Sequence, residues 1–253
     1  MHSPRRFYDR LADSYDLMYA DWDASIARQG EALGMLIDDA LGEGAYDVLD
    51  CACGIGTQVL GLSARGHRVT GSDVSPVAAG RAAREAAARG LRPPVTAADM
   101  RALPFPDATF DVVVCADNSL PHLLTPEDVR AALREMRRVL RPGGLLLLST
   151  RPYDALRRER PASAPPHVRT GPDGRTITFQ LWHWHPDGER YDVELFQLLP
   201  EGDAWTTHTR LTTYWALPQD ETAAFAVEAG FTATEWHDPA RSGFFQPVMT
   251  ARR

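Results

Sequence analysis

The chain has 253 residues, 44% hydrophobic content and a formal net charge of −7, which suits one domain with a sizeable core, or one domain bearing a modest insertion. The acidic balance, with no basic stripe interleaved with aromatics, excludes nucleic acid as the expected partner and favours a small molecule. No apolar run is long enough to span a bilayer and residues 1–6 lack the apolar segment of a signal peptide, so no membrane partner and a cytoplasmic location are expected.

Residues 4–20 and 23–41 read as two amphipathic helices, the first carrying Phe7, Leu11, Tyr15 and Met18 at helical spacing. Strand and helix then alternate: strand 46–51, helix 57–65, strand 67–73, helix 76–90, strands 94–98 and 110–116, helix 126–140 and strand 144–151. Such alternation predicts an α/β fold, a doubly wound and mostly parallel Rossmann-like sheet with right-handed crossovers. The pattern then changes. The Pro- and Arg-rich stretch 152–173 reads as a loop, while 176–185, 190–199 and 206–216 read as consecutive strands, with a hairpin turn at 186–189. This segment is expected to be an antiparallel β insertion after strand five, over the ligand edge. Helix 219–229, ended by Gly230, and strands 231–237 and 245–252 return to the parallel theme.

The most telling stretch is the first strand and its turn. Val48 and Leu49 form a buried strand that ends at Asp50, Gly54 and Gly56 let the backbone pass close to a ligand, and a helix begins at Thr57. A dinucleotide fingerprint would need a third glycine where Val59 stands, and a phosphate loop would need Gly-Lys-Ser/Thr; neither is present. Alone, the turn is compatible with S-adenosylmethionine (SAM), NAD or a plain tight turn. It resembles motif I (D/E-x-x-x-G-x-G) of class I SAM-dependent methyltransferases, with Asp50, Gly54 and Gly56 in register.

Composition narrows the chemistry further. All 27 basic residues counted as Lys+Arg are arginine, which excludes Schiff-base and lysine-base mechanisms. The three cysteines, Cys51, Cys53 and Cys115, fall in or beside buried strands and read as small hydrophobes, not as a disulfide or zinc framework. Asn118 is the single asparagine. In the run Trp182-His183-Trp184-His185, strand alternation separates the histidines from the tryptophans and offers no third ligand, so no metal is expected.

In an open parallel sheet, ligands bind beyond the carboxyl ends of the strands, so the residues just after each strand form one candidate site. They are Ala52, Gly54 and Gly56; Asp73 and Val74; Asp99 and Met100; Asp117, Asn118 and His122; and Arg151. An ionised Asp73 offers two oxygens to the ribose hydroxyls, with capping of the helix near Pro76 as its plain structural alternative. Asp99 and Met100 suit the amino group and face of an adenine.

The resemblance extends over residues 7 to 151 and more weakly beyond. The stretches Asp117-Asn118-Ser119-Leu120-Pro121-His122-Leu123 and Ser149-Thr150-Arg151-Pro152-Tyr153-Asp154 are similar to glycine and glycine/sarcosine N-methyltransferases, which show G-N-S-x-x-H-L and H-R-N-Y-D. The Phe7-Tyr8-Asp9 and Tyr15-Asp16 repeat resembles the N-terminal lid of amino-sugar N-methyltransferases. The resemblance implies a seven-stranded methyltransferase sheet divided into a helical lid (1–44), a SAM-binding core (45–151), the antiparallel insertion (152–217) and a C-terminal completion of the sheet (218–253). It also implies that Arg151 holds a substrate carboxylate, that Asn118 helps place the substrate, and that Tyr8, Tyr19 and Tyr15 close over the methyl group. Arg28 is the nearest counterpart of the arginine for the SAM carboxylate, two residues later than in the family. Two departures stand out: Asp117 replaces the family glycine, and Pro152 the asparagine after Arg151.

The expected activity is therefore SAM-dependent N-methylation of a small amine bearing a carboxylate, with S-adenosylhomocysteine (SAH) as coproduct. O-methylation of a hydroxyl with His122 as general base is one alternative, and a SAM-binding protein without catalysis is another. Plain packing alternatives also exist: Arg151 as an ion-pair partner of Asp117, His122 packed at a helix start, and the tyrosines as helix-core residues. The oligomeric state is not legible.

Overall fold

The computed structural model describes residues 3–171 and 174–253; the first two residues of the expected lid and the last two of the expected 152–173 loop lie outside them. Pro4–Leu11 (α1), a 3₁₀ segment Ala12–Met18 and Trp22–Leu41 (α2) precede the first strand, Asp47–Asp50 (β1). Thr57–Ala64 (α3), Arg68–Asp73 (β2), Pro76–Ala88 (α4), Val95–Ala97 (β3), Phe110–Cys115 (β4), Pro126–Val139 (α5) and Leu140–Ser149 (β5) follow. Tyr153–Glu159 (α6) then leads into Ser163–Gly171 (β6), Gly174–Trp184 (β7), Arg190–Glu201 (β8) and Ala204–Trp215 (β9). Gln219–Glu228 (α7), Thr232–His237 (β10), Pro239–Ser242 (α8) and Val248–Arg252 (β11) come last.

The main sheet has seven strands in the order β3-β2-β1-β4-β5-β11-β10. The pairs among β1 to β5 are parallel, and β11 runs antiparallel to both β5 and β10. This is the doubly wound, mostly parallel arrangement that the alternation predicts. Its central strands are apolar on both faces because helices cover both sides. Val113, Cys115, Leu146 and Leu148 pack with Val129, Leu133 and Met136 of α5, whereas the alternate residues Val112, Val114, Leu145 and Leu147 pack with Leu33 and Ile37 of α2 and Val59 and Leu62 of α3. Helices α2 and α3 cross at Gly30 and Gly61, where a Cβ on either glycine would lie 2.6 Å from backbone of the other helix. That contact seats α2, and with it Ser25, Arg28 and Gln29, beside the turn that follows β1.

The order reverses at β1, which has β2 on one side and β4 on the other. A crevice opens beyond the strand ends at such a reversal. The second sheet, β6-β7-β8-β9, is an antiparallel meander.

Three sequence expectations require correction. The strand expected over 245–252 does not continue the parallel theme, because β11 runs antiparallel to both β5 and β10. Residues 152–173 do not form a plain loop, since they include α6 and the edge strand β6. Its two prolines, Pro165 and Pro166, sit where the register with β7 shifts, between Ala164 and His167. An edge strand tolerates proline at such an irregularity, which is why the composition read as a loop. The helix expected over 4–20 also stops at Leu11 and tightens into the 3₁₀ segment. Side-chain anchors hold that tighter path: Arg81 donates to the Ala12 carbonyl at 2.6 Å, and Ser14 Oγ donates to Gln197 Oε1 at 2.7 Å. Tertiary bonds to α4 and β8 thus override a helical periodicity.

Candidate active site

Two adjoining cavities occupy the crevice. The smaller, about 160 Å³, runs along the turn after β1 and the ends of β2 and β3, where Ala52, Gly54, Asp73, Val74, Asp99 and Met100 form its wall. The larger, about 360 Å³, lies between the N-terminal segment, the ends of β4 and β5, and the inner face of the second sheet. Tyr8, Tyr15, Tyr19 and Asp117 line both cavities and so mark the junction.

Asp73 is 7% exposed. Its Oδ2 accepts the Gly54 N–H and its Oδ1 accepts the Ser75 N–H, both at 2.8 Å. Capping of α4 belongs to Ser75, whose Oγ accepts the Ala78 N–H at 3.0 Å, so the capping alternative for Asp73 does not hold. A carboxylate has about four acceptor sites, and two remain on Asp73 for a pair of hydroxyls. Burial raises its pKa to about 6, against the two backbone bonds that lower it. Asp50, at the strand end before it, is buried with Oδ2 unpartnered; burial carries its pKa up to about 8, so its carboxyl is protonated at neutral pH.

Asp99 lies in the fork of Arg101, with contacts of 2.6–3.1 Å, and Arg101 also reaches Asp128 at 2.8 Å. Sequence reading missed this arginine on the cavity wall. Gly56 does not reach the wall at all. Its φ of 101° turns the chain into α3, and a Cβ there would lie 3.1 Å from the Ala82 Cβ, so this glycine serves helix packing.

The ends of β4 and β5 meet at the floor of the larger cavity. Asp117 and Asn118 have φ of 55° and 65°, the left-handed region that non-glycine residues rarely occupy. Tyr19 donates to Asp117 Oδ2 at 3.2 Å. Arg151 donates through Nη1 to the Tyr191 hydroxyl at 2.8 Å, and its guanidinium carbon lies 4.9 Å from the Trp182 ring and 5.0 Å from the Tyr214 ring. Among the described residues no carboxylate pairs with it, so the ion pair with Asp117 considered from sequence is absent. Trp182, Tyr191 and Tyr214 were not foreseen as site residues; the only sequence signal for them is the inward alternation of β7, β8 and β9.

His122 sits in a short 3₁₀ turn against the smaller cavity. Its Nε2 meets the Tyr8 hydroxyl at 2.8 Å, and its ring centroid lies 4.2 Å from that of Tyr214. Burial, assisted by the Arg151 charge, pushes its pKa down to about 3. A neutral imidazole that weak does not meet the requirement for a general base. Arg28 lines the larger cavity and not the smaller one along the turn after β1, and it donates to Ser25 Oγ at 3.1 Å.

Asp16 ties the N-terminal segment down, pairing with Arg81 of α4 at 2.8 Å and Arg169 of β6 at 3.0 Å. Phe7 and Leu11 are buried against Leu195, while Tyr15 and Met18 are half-buried on the cavity side. The outer face of the second sheet carries His183 and His185 beside Glu194 and Asp192, and no cluster of three metal-ligating side chains occurs among the described residues.

Residues 48–144 match the family described as a methyltransferase domain. This segment, less than half of the chain, is a methyltransferase domain by that match. The chain is 34% identical over 156 residues to a glycine/sarcosine N-methyltransferase of Parasynechococcus marenigrum, an overlap of 61% of this chain and 54% of that protein. It is also 36% identical over 145 residues to a demethylmenaquinone methyltransferase of Thermus thermophilus, covering 56% of this chain and 62% of that one. The chain thus spans a little over half the length of the curated relatives it matches. Along its whole length the chain resembles the CcbJ methyltransferase of Streptomyces caelestis in fold, with a TM-score of 0.78, 20% identity and 99% coverage of each chain.

The residues present fit the family's cofactor. Asp73 retains acceptor capacity for ribose hydroxyls, Asp99 and Met100 line the same cavity, and Arg28 lines the adjoining one. When bound, SAM supplies an electrophilic methyl group on a sulfonium. The chain's own contribution would be the shape, dryness and alignment of the junction between the two cavities.

Proposed function

We propose that the protein methylates the nitrogen of a small amine that carries an acidic group. The observation that supports this most is Arg151: a guanidinium on the cavity wall, stacked between Trp182 and Tyr214, with a tyrosine and a glutamine as its polar neighbours and no carboxylate pairing with it among the described residues. A partly desolvated cation gains most from an anion that arrives with the substrate, and a guanidinium fork matches a carboxylate in two parallel bonds.

On this reading Arg151 fixes the acid end, and Tyr8, Tyr15 and Tyr19 exclude water at the junction, so the nitrogen lone pair is held toward the methyl group. Desolvation of the amine on entry favours its neutral, nucleophilic form. The depressed basicity of His122 and its contact with Tyr8 weigh against O-methylation driven by that histidine. The second cavity weighs against a SAM sensor, which needs no place for another ligand.

The test is an amine panel read by mass spectrometry, with each acid paired with its amide. Methylation of an acid and not of its amide is the expected result. Equal rates for the two would overturn the acidic group, and product from alcohols alone would overturn the amine.

A further inference from the structure

We infer that Asp117 is the residue that makes this site choose nitrogen: its carboxylate, at the junction of the two cavities, accepts an N–H of the acceptor and stabilises the positive charge that the nitrogen acquires on methylation. The inference rests on the acid-bearing-amine reading and goes beyond it by naming the group that would receive the nitrogen.

Three observations converge on Asp117. It lines both cavities, a position shared only with the three N-terminal tyrosines among the lining residues. One carboxylate oxygen, Oδ2, receives the Tyr19 hydroxyl at 3.2 Å, while Oδ1 takes no hydrogen bond from the described residues. Its backbone is held in the left-handed region at φ 55°, with its N–H bonded to Ser149 Oγ at 2.8 Å and a second left-handed residue, Asn118, directly after it. Strain of this kind costs roughly 1–3 kcal/mol per residue and persists where surrounding structure enforces it. A glycine would occupy the same turn without that cost, so the carboxylate is what the strained position retains.

The chemistry explains why a carboxylate is useful there. As the nitrogen lone pair forms the N–C bond, the C–S bond breaks with its electron pair on sulfur, and the positive charge passes from sulfur to nitrogen. The product is an alkylammonium that afterwards releases a proton to solvent, and no oxidant or other reactant is needed. A fixed negative charge beside the nitrogen lowers the energy of that charge transfer. A hydroxyl presents one O–H in place of a primary amine's two or three N–H groups and carries no ammonium charge, so it gains less from the same carboxylate. Burial raises the Asp117 pKa, while the Tyr19 hydrogen bond and the charge of Arg151 favour its ionised form, and Arg151 does not pair with it directly. The site therefore presents an acceptor for N–H at the junction and a donor fork for an acid on the wall of the larger cavity.

The experiment uses the full chain loaded with SAH. Calorimetry compares glycine with glycolate, and phenylalanine with 3-phenyllactate, pairs that differ only in amine against hydroxyl. The parent is expected to bind the amino acid of at least one pair about tenfold or more tighter than the hydroxy acid, and Asp117→Asn to abolish that preference while SAH affinity stays within about threefold. Asp117→Gly, which removes the strained φ along with the carboxylate, should behave alike and serves if the asparagine variant fails to fold. A preference that survives in both variants, or SAH affinity that falls about tenfold with the preference intact, overturns the inference. Equal binding of amino and hydroxy acid by the parent overturns it too, but leaves the acid anchor standing. Failure of the parent to bind any of the four compounds removes the acid-bearing-amine reading, and this inference with it.

Discussion

The side-chain oxygen of Asn118 accepts the backbone N–H of Arg151 at 3.1 Å, which ties the end of β4 to the end of β5 under the larger cavity. Asn118 is 2% exposed and its Nδ2 has no partner among the described residues, so one half of the amide holds Arg151 in place and the other half remains as a donor beside the cavity. Asn118→Ala strands the Arg151 N–H. It is expected to lower stability by about 1–3 kcal/mol in a denaturant titration and to raise KM for the acceptor; an unchanged unfolding midpoint would contradict the positioning role.

Arg151→Lys is expected to reduce kcat/KM for an acidic acceptor by about 10²-fold, a loss of about 3 kcal/mol in positioning, because an ammonium reproduces neither the fork nor the stacking on Trp182 and Tyr214. SAH affinity should hardly change. Steady-state kinetics beside SAH calorimetry separate the two effects.

Asp73→Ala is expected to weaken SAH by roughly 10- to 150-fold, about 1.5–3 kcal/mol, through the loss of hydrogen bonds to an ionised group. In the parent the same carboxyl titrates at about 6, so SAH affinity should rise with pH through that value and level off above it. The alanine variant should lack this step, as measured by calorimetry from pH 5 to 8.

Asp50 makes stability fall with rising pH. Its folded-state pKa is about 8, above the unfolded value of about 3.9. The folded chain therefore binds more protons between the two values. The contribution of Asp50 to stability is complete below about pH 4 and is lost as pH rises toward 8, with a slope of at most about 1.4 kcal/mol per pH unit. Asp73 and Asp117, also raised by burial, act in the same sense. Asp50→Asn should flatten the dependence of Tm on pH across this window, and a parent whose Tm rises steadily from pH 5 to 8 would contradict the assignment.

Asp16→Ala removes two ion pairs of the N-terminal segment, to Arg81 and to Arg169, and leaves its hydrogen bonds through Ala12 and Ser14. Because these charges are partly exposed, the cost in global stability should be small, roughly 1 kcal/mol. The effect should fall on closure: stopped-flow release of SAH is expected to accelerate about tenfold, and an unchanged release rate would make the contacts structural alone.

The parallel core, the glycine turn after β1 and the strand-end acids were legible in the sequence because each depends on neighbours in the chain. Runs such as Val112–Val114 and Leu145–Leu148 announce strands buried on both faces, and the residue after such a strand reaches the ligand edge whatever lies elsewhere. What surrounds Arg151 depends instead on register. Trp184 meets Tyr191 and Tyr191 meets Tyr214 only because β7, β8 and β9 pair in that alignment, and no local pattern encodes which aromatic faces a distant arginine. The same holds for the 3₁₀ path of the N-terminal segment, for the proline-bearing edge strand β6 and for the diversion of Gly56 to helix packing. Periodicity reports which face of an element is apolar; it does not report which partner that face, or the charge beside it, will meet. Tertiary packing alone decided that Asp117 stands at the junction of the two cavities and Arg151 on the wall of the larger, without pairing, because burial and competing partners set where each charge rests.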